Sequence, residues 1–268
     1  MPSAKVRIGN WQEELAYEAD KKALLKQARE SGSTLSQSIL AKAKHHRQPV
    51  ELQQVHADGA LRFGVPIAFQ NADTNGCLAT DLDDKSCVDG DDRYACTTTR
   101  VASPQLRAAW VLLPVPSKED AFIAPDADPD VVHYGQRFVI QTVEGLAHDP
   151  LFVCSANKTH STLSRVTSNQ DVFLTGNGGQ KALWAAMHAN AEYRPDMIGK
   201  PVKANSLMIL VHQGTNMPLA STSGARVSTD FGAENEVCCH RYLKVQSKSG
   251  NAPEQAANLW AAVTAPAE

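Results

Sequence analysis

Three stretches of the sequence begin alike at a nearly constant interval. Residues 63–69 read FGVPIAF, 134–140 read YGQRFVI and 204–210 read ANSLMIL. Gly64, Gly135 and Asn205 correspond, at intervals of 71 and 70 residues. Three positions on stand Ile67, Phe138 and Met208, and five positions on stand Phe69, Ile140 and Leu210. Alternation along a strand places each such pair on one face. Gly and Asn tolerate a positive φ better than other residues, so each stretch reads as a turn leading into a strand. A second short strand follows each time, at residues 77–79, 151–153 and 218–220. Each unit then closes on a tryptophan in apolar surroundings: Trp110, Trp184 and Trp260, at intervals of 74 and 76 residues. A fragment copied three times, with about four short strands per copy, predicts a mainly β, pseudo-threefold core of the β-trefoil kind. Such a core closes into a barrel and leaves no long open edge. The units run over about 55–115, 128–188 and 199–264, within a domain of residues 50–264 followed by a tail of 265–268. Ile67, Phe69, Trp110, Phe138, Ile140, Trp184, Met208, Leu210 and Trp260 form its expected repeated core.

Residues 1–49 obey a different pattern. They carry nine Lys or Arg against five Asp or Glu, a balance of +4 in a chain whose overall charge is −3. From Glu13 to Glu30 the residues are strong helix formers without Gly or Pro, and a second short helix is expected from about Leu35 to His46, ahead of Pro49. Neither helix has an apolar stripe broad enough to build a core alone. The segment therefore reads as an N-terminal helical arm that needs another surface.

Composition and motifs narrow the chemistry. Hydrophobic residues make up 43% and charged residues 21% of 268, which is globular composition. The charge balance gives no reason to expect nucleic acid. No apolar run is long enough to cross a membrane as a helix, and the first residues lack the apolar stretch of a secretory signal. The reading is therefore a reducing intracellular compartment, with six cysteines free of any C-x-x-C spacing. Residues 73–92 hold seven Asp and one Lys and, like 119–130, read as solvated acidic loops. Counting back from Gly90 puts Lys85 where a calcium loop needs its first acid, so that template fails. The glycine-rich stretch 175–181 lacks the adjacent Gly-Lys-Ser/Thr of a phosphate cradle. Cys238 and His240 would share a strand face, yet a buried structural thiol is the favoured reading over a Cys–His nucleophile. No catalytic set, cofactor site or metal site is expected, and the chain is read as a non-enzyme.

Two blocks carry a family resemblance. One is Val6-Arg7-Ile8-Gly9-Asn10-Trp11 followed by Glu13-Glu14 and a helix. The other is residues 230–237, DFGAENEV, then His240-Arg241-Tyr242-Leu243, Leu259-Trp260 and Val263-Thr264. With the strand start at Tyr134-Gly135-Gln136-Arg137-Phe138, these resemble the cilia- and flagella-associated protein 161 family, proteins of the inside of ciliary microtubules. The strand starts also resemble MIR-type repeats. The family resemblance implies a structural protein that binds α/β-tubulin and neighbouring inner proteins on the luminal wall of axonemal doublet microtubules, in the cilium or flagellum. Arg7, Ile8, Asn10 and Trp11 are its expected partner contacts, Trp and Arg being frequent anchors of interfaces. The alternative is a cytosolic trefoil lectin or other small-ligand module. That alternative requires an exposed aromatic with a polar partner in each unit.

Overall fold

The structure is a computed structural model. It describes residues 11–30, 35–54, 56–88, 90–101, 103–116, 122–160, 162–244 and 253–265. The chain divides into two compact units, one ending at His45 and one starting at His46, a few residues before the boundary read from the sequence.

The first unit contains α1 (Trp11–Glu30) and α2 (Leu35–His46). In α1, Glu13 and Glu14 occupy the first turn and Arg29 the last, matching the helix dipole at both ends. Glu18 and Lys22 pair at i,i+4 spacing, 3.8 Å apart and exposed, which supports the helix weakly. Leu15, Tyr17, Leu24 and Leu25 of α1, with Ile39 and Leu40 of α2, are all exposed.

The second unit is built from strands. Among the described residues these are β1 (Pro66–Asn71), β2 (Cys77–Val88), β3 (Asp91–Thr99), β4 (Trp110–Pro114), β5 (Arg137–Thr142) and β6 (Phe152–Ser155). They continue with β7 (Gln170–Thr175), β8 (Trp184–His188), β9 (Leu207–His212), β10 (Met217–Thr229), β11 (Gly232–Cys239) and β12 (Trp260–Val263). A four-residue helix, α3 (Arg194–Met197), follows β8. Six strands pair antiparallel in a closed ring, β1–β4–β5–β8–β9–β12 and back to β1. The other six form three hairpins, β2–β3, β6–β7 and β10–β11. The hairpins touch one another through β3–β7, β3–β11 and β7–β11.

The ring registers recur. Trp110 stands opposite Ile67 on one side and Thr142 on the other. Trp184 stands opposite Phe138 and His212, and Trp260 opposite Met208 and Asn71. Each indole N–H donates to a carbonyl on the second strand of its own stretch: Trp110 to Leu78 at 2.9 Å, Trp184 to Val153 at 2.8 Å and Trp260 to Leu219 at 3.0 Å. All three tryptophans are completely buried, as are Ile67, Phe69, Phe138, Ile140, Met208 and Leu210 to within 1%. They share one core cluster.

The turns before the ring strands follow the expected geometry. Gly64, Gly135 and Asn205 have φ of 74°, 85° and 58°. Their N–H groups donate to Leu112, Ala186 and Ala262 at 2.9, 2.9 and 2.8 Å. Just ahead of them, three backbone bonds close a cycle. Leu61 N–H donates to Val202, Val202 to Val132, and Val132 to Leu61, each at 2.8 Å. Three segments far apart in sequence thus meet at one end of the barrel.

One expectation is corrected. Residues 73–92 are not a loop, since most of them are β2 and the turn into β3. Beyond the shift in register after Asp81, β2 has only half-buried and exposed residues, and of the β3 residues paired with it there Arg93 alone is buried. Most charges there keep their water, and Lys85 bridges Asp92 across the strands at 2.7 Å. An acid-rich composition is therefore no obstacle to the ladder. At the other end Ala265, read as the start of a tail, bridges Gln54, with its N–H 2.8 Å from the Gln53 carbonyl.

Replacing Trp184 by Phe keeps most of the buried volume but strands the Val153 carbonyl. The expected loss is about 1–3 kcal/mol in urea unfolding, the cost of a buried unpaired polar group. Replacement by Ala is expected to cost about 3–5 kcal/mol.

Candidate functional site

The mouth formed by the three hairpins holds the densest polar chemistry of the second unit. Its hub is the block DFGAENEV, which occupies the turn between β10 and β11 and most of β11. Alternation along β11 sends neighbouring side chains to different tasks. Glu234 meets Arg107, which sits in a short 3-10 turn ahead of β4. The pair is bidentate, at 2.6 and 2.8 Å, and its side chains are 1% and 5% exposed. Arg107 Nε also donates to the Thr80 carbonyl at 2.9 Å, and Thr97 Oγ1 donates to Glu234 at 2.7 Å. Phe231 covers the guanidinium with its ring centroid 3.8 Å away. On Phe231 also lie Arg47 at 5.4 Å and the His46 ring at 5.7 Å. Burial pushes the Glu234 carboxyl up, but the Arg107 hydrogen bonds and charge outweigh it, and its pKa lies below the ordinary value.

Asn235 donates to the Thr222 and Ser223 carbonyls at 3.1 and 3.2 Å, holding the register shift of β10. Glu236 accepts from the Val166 and Thr167 N–H groups at 2.6 and 2.9 Å, and from Thr167 Oγ1 at 2.7 Å. It thereby ties the loop ahead of β7 to β11. The following block is structural too. Asn258 receives the Tyr242 N–H at 2.8 Å and donates to His240 at 2.7 Å.

Beside the hub, Asp81, Asp83 and Asp230 bring carboxylate oxygens within 4.8 Å of one another, a spacing that could hold a cation. Asp81 is buried and accepts the Asp83 N–H at 3.1 Å. Burial raises its pKa, partly offset by that N–H and by Arg107. Between β3, β7 and β11 lies a cavity of about 200 Å³, bordered by Arg93, Asp171 and Glu236. Burial pushes the Asp171 carboxyl up to about 6.

The thiol chemistry is quiet where sequence placed it beside a histidine. Cys238 is 2% exposed, and burial raises its pKa to about 11. Burial lowers that of His240, whose ring stacks edge-on to Tyr242 at 4.5 Å. The three repeated tryptophans are buried, so they present no platform for a sugar ring. Of the expected partner contacts, Arg7, Ile8 and Asn10 lie outside the described residues. Trp11 opens α1, and its side chain lies outside them too. Sequence reasoning missed Arg107 and the polar residues Asn71, Thr142 and His212 that face the tryptophans across the ring. These last are spaced 71 and 70 residues apart, which was the available signal. No helix among the described residues is long and apolar enough to cross a membrane.

The ring of six strands with three hairpins defines a mainly β protein of the fold seen in the SDF2-like protein from Arabidopsis thaliana. That likeness has a TM-score of 0.55 at 19% identity, covering 78% of this chain and 99% of the other. The S. cerevisiae protein O-mannosyltransferase Pmt1–Pmt2 complex shares the fold at a TM-score of 0.52 and 14% identity, over 81% of this chain and 26% of that one. Within that fold class the chain is similar in sequence to cilia- and flagella-associated protein 161. It is 27% identical to the Bos taurus protein over 266 residues, 97% of this chain and 81% of the relative. The Danio rerio protein is also 27% identical, over 276 residues, 97% of this chain and 87% of the relative. Residues 178–265 match the cilia- and flagella-associated protein 161-like domain, a span that contains the hub block.

Replacing Arg107 by Met leaves the Glu234 carboxylate buried without its cation. The expected loss is about 3–5 kcal/mol in denaturant unfolding, with much of it recovered when Glu234 is also replaced by Met. The carboxylates pull acid stability in opposite directions. Glu234, held low, contributes stability above its unfolded value of about 4.3, which disappears as pH falls through its folded pKa. For Asp171 the contribution is present below about 3.9 and lost as pH rises through about 6. Asp171→Asn is therefore expected to raise the melting temperature at pH 7.5 and leave it nearly unchanged at pH 3.5. A thiol reagent at pH 7.5 is expected to modify the exposed Cys87 well before Cys238, read by peptide mass mapping.

Proposed function

We propose that this chain is a structural protein of motile cilia or flagella, bound to the luminal wall of axonemal doublet microtubules beside other inner proteins. The observation that carries the reading is the similarity to cilia- and flagella-associated protein 161 over 97% of the chain. In this reading the chain works by contact with α/β-tubulin and its neighbours, not by catalysis. The β unit is a pseudo-threefold β-trefoil that acts as a rigid plug. Its repeated registers, indole bonds and three-membered backbone cycle support that symmetry.

The helical unit supplies the grip. Six large apolar side chains on α1 and α2 are exposed, the kind of surface that a protein contact covers. Residues 1–49 hold a balance of +4, leaving −7 on the remainder. A basic, partly apolar arm on an acidic barrel suits a chain whose arm settles into an acidic protein surface while its core is held off by charge.

Cryo-electron tomography of axonemes with the full chain carrying a C-terminal tag tests this. Periodic density inside the doublets is expected. A variant lacking residues 11–45 is expected to keep the melting temperature of the β unit and to lose that density. Tag density confined to the cytoplasm or the outer doublet surface overturns the reading, as does normal incorporation of the shortened chain.

A further inference from the structure

The cavity among the hairpins belongs to no part of the doublet reading. It lies where β3, β7 and β11 meet, beneath the outer halves of β2 and β10. About 200 Å³ is room for a side-chain-sized group rather than a water. Among the described residues its wall is charged, with Asp84, Asp171 and Glu236 against Arg93 and Arg165, a net charge of −1.

The acids differ in what already satisfies them. Asp84 is clamped by Arg165 through two hydrogen bonds, at 2.5 and 2.6 Å. Glu236 accepts three, from Val166, Thr167 and the Thr167 hydroxyl. What favours the charged form of Asp171 is the backbone N–H of Val172 with the attraction of Arg93 and Arg165, set against repulsion from Glu236. Arg93 lies with its guanidinium 4.1 Å from the Phe173 ring centroid and so already covers one face of that ring. The cavity therefore offers a carboxylate with acceptor capacity left over, in surroundings whose described residues carry one negative charge in excess. A planar or compact cation satisfies both at once, since burial strengthens its attraction to the acid and the stem above it meets Val172, Val227 and Val237.

We propose that this cavity is a binding site for one cationic group, a guanidinium or primary ammonium on an aliphatic stem, with Asp171 as its counter-charge. The chemistry is shared by an Arg or Lys side chain of a partner polypeptide and by a free alkyl amine. Val227, half-buried on β10, borders the cavity, so a larger side chain there would block it.

Calorimetric titration of the full chain at pH 7.5 tests the proposal with three probes. These are agmatine, Nα-acetyl-arginine N-methylamide and the citrulline analogue of the latter. Agmatine stands for a free amine and the capped arginine for a partner's side chain. Whichever binds more tightly identifies the source, while both must exceed the neutral citrulline analogue. Asp171→Asn is expected to weaken the cationic probes by about tenfold or more. Val227→Trp, which keeps Asp171, is expected to abolish binding while the melting transition stays cooperative. A second readout is the Asp171 side-chain carboxyl carbon signal, expected to shift on saturation with either cation. Equal binding of the citrulline analogue, unchanged affinity in either variant, or no saturable heat with any probe overturns the proposal. None of these outcomes depends on whether the chain enters a doublet.

Discussion

An indole N–H in the middle of a barrel has no water to bond. Each of Trp110, Trp184 and Trp260 must therefore find a carbonyl, and each finds it on the second strand of its own stretch. That single requirement fixes how the hairpin leaves the barrel, because the acceptor has to stand a set distance from the ring strand. It also fixes the neighbours across the ring. The residues opposite the tryptophans on the far side are Asn71, Thr142 and His212, all buried and polar. Each turns a polar atom to the loop that follows. Asn71 accepts from Asp73 and Thr74, Thr142 from Leu151, and His212 bonds Thr215. The large apolar ring and the loop geometry are thus set by the same position.

The hairpin mouth obeys a different logic. Its charged groups are held by long-range partners rather than by a repeated pattern. Arg107 and Glu234 are separated by 127 residues, and each is costly to bury without the other. The pair locks the first stretch to the third, and Phe231 lies over the guanidinium. The block DFGAENEV, which carries the family resemblance, is thereby explained in large part by folding: Phe231, Glu234, Asn235 and Glu236 all hold elements together. The partner surface proposed above is therefore assigned to the helical unit, whose leucines are exposed.

How much of this could be read beforehand depended on whether the signal was local. Strand starts were legible because a positive φ restricts the residue to Gly or Asn, and Gly64, Gly135 and Asn205 keep step. The two helices were legible because composition alone distinguishes them from the rest. The outer half of the β2–β3 hairpin was not, because two-stranded ribbons keep both faces in water and so accept the same Asp-rich composition as a loop. Nor could the sequence show Arg107 as buried, since nothing near it in the chain names Glu234. The cavity beside Asp171 draws on β3, β7 and β11 together, and no single segment contains a trace of it.

The seam between β12 and β1 has a mechanical meaning. Pairing runs from Ala68 with Val263 to Asn71 with Trp260, so the chain leaves both strands at the same end. The Gln54–Ala265 bridge stands just outside that end. A tug between the front and rear of this unit would peel the two strands apart rung by rung instead of sliding them past each other. Such a lock resists far less force than one loaded along its length, so whatever anchors the molecule does best to hold it from one side only.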